Sequence, residues 1–136
     1  MHRTYLKIAA LTGAITVIMG AFGAHKLKQL VSADLVSTYQ TGVTYQFYHT
    51  FALLAVGILY KRYQNKWMDW AGRLFILGTI LFSGSLYLLT ALQATRDIGL
   101  EGFGIITPFG GVLLVAGWLS FFLAIPSDRK KEYSDS

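Results

Sequence analysis

Four stretches of this chain run for seventeen residues or more without an Asp, Glu, Lys or Arg: residues 8–24, 35–60, 74–95 and 102–127. A helix rises only about 1.5 Å per residue, so crossing a hydrocarbon core takes roughly 17–25 apolar residues. All four stretches reach that length, which predicts a polytopic membrane protein of the all-α class, a compact bundle of four transmembrane helices. Soluble folding would need a polar covering that the chain lacks. Only 14% of its residues are charged and its mean hydropathy is +0.47, whereas a soluble domain carries about 25% charged residues. At 136 residues, the chain forms one domain. The spans are expected at about 6–24, 41–60, 73–93 and 108–125 within a domain of residues 1–127, followed by a polar cytoplasmic tail at 128–136.

The basic residues orient the spans. With four alternating helices, the N-terminus, the second loop and the C-terminus share one side, which holds nine of the Lys and Arg residues: Arg3, Lys7, Lys61, Arg62, Lys66, Arg73, Arg129, Lys130 and Lys131. The other side holds three, Lys26, Lys28 and Arg96. Cytoplasmic loops carry the excess of positive charge, so both termini are expected in the cytoplasm. Tyr63, Trp67 and Trp70 fall where an interfacial aromatic belt on that side would lie. The first run has the basic start of a signal peptide, but its seventeen residues exceed the usual apolar region of about 7–15, and it reads as a helix.

Local signals set the helix ends. Ser32 can cap a helix that carries Asp34 in its first turn and continues through Tyr60. In ITPFGG, Thr107 is expected to cap a fourth span opening at Pro108, whose missing N–H costs nothing there, and ending by Ile125 ahead of Pro126.

Small residues recur every seven positions: Ala9, Thr16 and Gly23, joined by Gly13 and Gly20; Ala71, Gly78 and Ser85; Gly110, Gly117 and Ala124. In lipid, apolar surface gains little by hiding, and small residues mark where helices approach. A seven-residue period keeps one seam on a partner. Gly13, Gly20, Gly23, Gly78, Gly84, Gly110 and Gly117 are therefore the candidate packing glycines.

No Asp, Glu, Lys or Arg falls in the predicted span interiors, which counts against ion coupling. What remains is milder. Gln46 and His49 share a helix face, with Tyr45 one turn before His49; Ser83 and Ser85 lie in the third span, and His25 ends the first. His49 reads as a neutral histidine bonded to a neighbouring helix through Ser, Tyr or a backbone carbonyl, with a lipid-headgroup or small-ligand site, or metal or haem ligation, as the alternatives. His25 is expected to close the outer end of the bundle by bonding to the ITP turn or the second span. Cysteine is absent, which excludes disulfides and thiolate chemistry. Two histidines without carboxylate or thiolate company make a thin metal set, and no hydrolase triad assembles. No catalytic residue, metal or cofactor is expected, and no basic stripe suggests nucleic acid.

GAFGAH (20–25), YQFYH with the LLA that follows (45–55), LFSGSLYLL (81–89) and ITPFGG with AGW (106–118) resemble the small four-helix inner-membrane proteins of the YgdD/YwdK type. That family is itself similar to a small mitochondrial transmembrane protein of animals. The resemblance touches every span. It implies the bacterial plasma membrane and four helices, supplies no biochemical activity, and adds weight to His25, Tyr45, Gln46, His49, Ser83, Ser85, Tyr87 and Thr107. The expectation is a non-enzymatic packing or interaction module among membrane lipids, with a homo-oligomer as candidate assembly. Its alternative is a lipid- or small-molecule-binding protein with a polar pocket near the outer leaflet, made from His25, Gln46, His49 and Thr107.

Overall fold

The computed structural model describes residues 1–95 and 105–127. Arg96 and the tail at 128–136, with its three cations, lie outside the described residues. Five helices follow in order: α1 (Arg3–His25), α2 (Leu27–Leu30), α3 (Ala33–Leu59), α4 (Lys66–Thr95) and α5 (Ile106–Ala124), and there is no strand among the described residues. All but the single-turn α2 are long and apolar enough to cross a membrane. In hydrocarbon, a chain has to satisfy its backbone internally, and a helix does so segment by segment.

The ends are set by side chains. Ser32 accepts from the Leu35 amide at 3.4 Å, opening α3 with Asp34 in its first turn. Asn65 opens α4, its Oδ1 accepting from the amides of Trp67 at 3.0 Å and Met68 at 3.1 Å. The helix therefore begins well before the third charge-free run, and Met68 is fully buried. α5 differs from expectation. It starts at Ile106 with Ile105 at the cap and no side-chain cap bond, so Thr107 lies inside the first turn. Pro108 stays in that turn, where a missing N–H leaves nothing unpaired.

α1 packs on α3, α3 on α4, and α4 on α5; α1 forms no extended interface with α4 or α5. The small-residue rows face these seams, and all nine of their members are buried. A Cβ on Gly23 would fall 2.6 Å from the Tyr39 ring of α3, and one on Gly78 would fall 2.7 Å from Leu114 of α5. On Gly117 it would come within 2.8 Å of Phe75. Gly110 is tighter still, because a Cβ there would meet the backbone nitrogen of Phe82 at 2.5 Å. Helices α4 and α5 thus touch backbone to backbone. Gly13 and Gly20 make looser contacts, at 3.6 Å from Thr50 and 3.5 Å from Val43. Gly84 is the exception among the expected packing glycines: a Cβ on it meets nothing within 4 Å, because it borders a gap rather than a helix.

Candidate functional site

His49 sits halfway along the bundle on α3, buried, with both ring nitrogens engaged. Nδ1 lies 2.7 Å from the Tyr45 carbonyl one turn earlier, and Nε2 lies 3.1 Å from the indole Nε1 of Trp118 on α5. A carbonyl can only accept and an indole N–H can only donate. The proton therefore rides on Nδ1, and Nε2 offers its lone pair to Trp118. The ring is the neutral Nδ1–H tautomer, tied across α4 from α3 to α5. Phe75 and Trp118 complete its surround, with ring centroids 5.8 and 5.9 Å away.

The other deep polar side chains follow the same plan. Tyr87 on α4 donates to Oε1 of Gln46 on α3 at 2.5 Å, and Ser83 donates to the Gly42 carbonyl at 2.7 Å. The Tyr39 hydroxyl, lying over Gly23, donates to the Met19 carbonyl of α1 at 2.7 Å. Ser85 gives its one proton to the Phe82 carbonyl at 2.8 Å, so in its 2.6 Å pairing with Thr107 the threonine is the donor. That demand from Ser85 explains why Thr107 sits inside α5 instead of capping it. Thr16, Thr50 and Thr90 donate to carbonyls one turn back in their own helices.

The expected outer-leaflet pocket is not assembled. Gln46, His49 and Ser83 border one cavity, between α1 and α4 over α3; Tyr45 and His49 border a second, between α3 and α5 beside Trp118. Ser85 and Thr107 pair with each other and line neither. His25 is exposed, and its ring makes no hydrogen bond among the described residues, so the expected tie to the ITP turn or the second span is not made. Tyr39 explains this: it occupies the face of α1 at Gly23, and two residues later His25 points the other way.

A second cluster joins the opposite helix ends. His2 caps α1, its Nδ1 accepting from the Tyr5 amide at 3.1 Å, and its own amide donates to the Gly57 carbonyl of α3 at 2.9 Å. Its ring stacks on Tyr5 at 3.8 Å and meets Tyr60 edge-on at 4.6 Å. Tyr5 lies over Gly72 and donates to the Asp69 carbonyl at 3.2 Å, while Tyr60 donates to the Asp69 carboxylate. That bond to the carboxylate raises the Tyr60 phenol above its usual range. Asn65, besides capping α4, donates from Nδ2 to the Ala124 carbonyl at the end of α5 at 2.9 Å. Sequence reasoning missed His2, Tyr5, Tyr60, Asn65 and Asp69. Asn65 was findable as an Asn just ahead of a helix with Asp69 in its first turn; histidine is not an ordinary cap, and nothing flagged His2. Among the described residues, no three His, Asp or Glu side chains gather into a metal-binding group.

The fold and these ties define a polytopic α-helical membrane protein in which several interior polar groups link neighbouring helices. Residues 19–111 match the family model described as "Protein of unknown function (DUF423)". UPF0382 membrane protein SSP2132 of Staphylococcus saprophyticus is 42% identical over 117 residues, 86% of this chain and 92% of that one. UPF0382 inner membrane protein YgdD of Escherichia coli strain K12 is 42% identical over 116 residues, 85% and 84% of the two chains. A UPF0382 membrane protein of Haemophilus influenzae is 41% identical over 131 residues, 96% and 98% of the two. No solved structure matches. The chain belongs to the DUF423 (UPF0382) family and is a multi-pass protein of the bacterial inner membrane.

Proposed function

We propose that the protein is a non-enzymatic interaction module of the inner membrane, inserted with both termini in the cytoplasm and presenting a fixed apolar surface to other membrane components, a second copy first among them. His49 carries this reading. It is the one imidazole among the membrane-depth side chains, and with Nδ1 donating to a carbonyl and Nε2 accepting from Trp118 it has neither a proton nor a lone pair left for a substrate. Ser83 and Tyr87 likewise give their hydroxyl protons to α3, at the Gly42 carbonyl and Gln46 Oε1. The surface offered outward is largest on α5, where Phe109, Val112, Val115, Leu119 and Phe122 are all exposed opposite the glycine seam. The orientation rests on the nine-to-three division of basic residues. Three of the nine, Arg62, Lys66 and Arg73, lie over the rings of Tyr63, Trp67 and Trp70, at 5.4, 5.1 and 5.7 Å.

In-membrane photocross-linking from Leu119, with native mass spectrometry of the purified protein, tests the reading. A discrete homo-oligomer or a stoichiometric protein partner is the expected result. A strictly monomeric protein without cross-links from α5 would count against it, as would a turnover abolished by His49→Gln in a folded protein.

A further inference from the structure

Between α1 and α4, over α3, the helices leave a slot of about 330 Å³. On α4 it runs from Phe75 to Tyr87, which is roughly 18 Å at about 1.5 Å per residue. A volume of that size drawn out over such a length is narrow, suited to a single chain rather than a ring system. The slot opens sideways because α1 and α4 share no extended interface. Its lips, Ile15 and Ile80, are 44% and 61% exposed, so in a bilayer the opening faces lipid.

The two ends differ in chemistry. Ile8, Leu53 and Phe75 make one end apolar, while Gln46, Ser83 and Tyr87 gather at the other. Gln46 is only 6% exposed, and Tyr87 meets only its Oε1. The amide nitrogen has no partner among the described residues, yet it is not sealed in, since no buried side-chain nitrogen or oxygen is left unpaired. The 2.5 Å separation fits an O–H···O bond and is too short for N–H···O, which places the amide oxygen at Tyr87 and leaves the nitrogen free. Thr12 and Thr79, on opposite walls, also have hydroxyls without a partner among the described residues. Among the described residues, no Lys or Arg lines the slot.

An N–H₂ facing hydrocarbon is costly unless something accepts from it. The matching ligand carries a neutral acceptor oxygen on an apolar chain; an anionic group would find no cation among the described residues. We propose that the slot holds one acyl chain of a membrane lipid, with its ester carbonyl accepting from the Gln46 side chain and its tail lying toward Leu53 and Phe75. This goes beyond the interaction reading, and neither depends on the other. Gly84 then has a role: bordering the slot with open space where a Cβ would stand, it keeps the slot clear for the chain.

The test is native mass spectrometry of the full-length protein after exchange into a diacyl phosphatidylethanolamine or its dialkyl ether analogue, which lacks the carbonyl. The parent should retain one diester lipid per chain, about fivefold over the ether, the worth of one hydrogen bond. Gln46→Leu combined with Tyr87→Phe, which leaves no orphan hydroxyl, should bring the two lipids level. Gly84→Leu should retain neither while melting like the parent. Equal retention of ester and ether by the parent would overturn the carbonyl contact. Undiminished lipid on Gly84→Leu would overturn the slot itself, and displacement of the diester by an equimolar quinone would replace the acyl chain with a ring ligand.

Discussion

Trp118 donates its indole N–H to Nε2 of His49 at 3.1 Å, joining α5 to α3, two helices that otherwise share no extended interface. In Trp118→Phe, His49 Nε2 would be left without a donor. The expected loss is about 1–2 kcal/mol of stability in detergent. Adding His49→Leu removes the orphaned acceptor as well, so the double variant should lose less than the two single losses added together. A double-mutant cycle from denaturant unfolding measures the difference. Strict additivity would show that the bond contributes nothing to the fold.

The α4–α5 seam distinguishes adjacent glycines. A Cβ on Gly110 would meet the Phe82 backbone at 2.5 Å, whereas one on Gly111 would reach only the Phe82 ring at 3.7 Å. Gly110→Ala should therefore cost roughly 1–3 kcal/mol through overpacking, and Gly111→Ala should be neutral or slightly stabilising as the better helix former. Thermal melts in one detergent compare them directly, and equal melting temperatures would mean that the seam runs elsewhere.

Asn65 acts through two atoms with separable roles. Asn65→Asp keeps the acceptor that caps α4 but loses the donor to the Ala124 carbonyl; Asn65→Ala loses both. The alanine variant should lose about 1–2 kcal/mol, the range of a helix cap, and the aspartate variant should fall between it and the parent. Melting temperatures that rank aspartate below alanine would show that a carboxylate set against the Ala124 carbonyl costs more than the cap contributes.

Orientation is checked by fusing to Ser136 a reporter that is active only outside the cytoplasm. A silent fusion is expected, with activity appearing when the same reporter is placed after Lys28. The reverse pattern would overturn the assignment of both termini to the cytoplasm.

The spans were legible because charge is excluded from hydrocarbon, and the gaps between charged residues mark them directly. The seven-residue rows were legible for a related reason: without a hydrophobic drive between helices, only small side chains let them approach, and Gly23, Gly78, Gly110 and Gly117 all face neighbours. Gly84 shows the limit of that rule, since a glycine that receives a neighbour and one that borders a void look identical in sequence. Thr107 read as a cap because its local context allowed one; the competing demand came from Ser85, a partner set by tertiary packing. His25 failed similarly, its face of α1 being settled by Tyr39. Pairings such as His49 with Trp118 join residues far apart in the chain, and composition or spacing says nothing of which donor finds which acceptor.

The neighbour-by-neighbour packing of α1, α3, α4 and α5 has a consequence for how the chain is made. Each long helix after α1 packs on the long helix synthesised just before it, so a helix leaving the ribosome docks on a surface already in the bilayer. A nascent chain that has reached Thr95 can already join Tyr39 to Met19, Ser83 to Gly42 and Tyr87 to Gln46. Synthesis of α5 then adds the Gly110 seam and the Trp118 link to a surface the earlier helices have already formed.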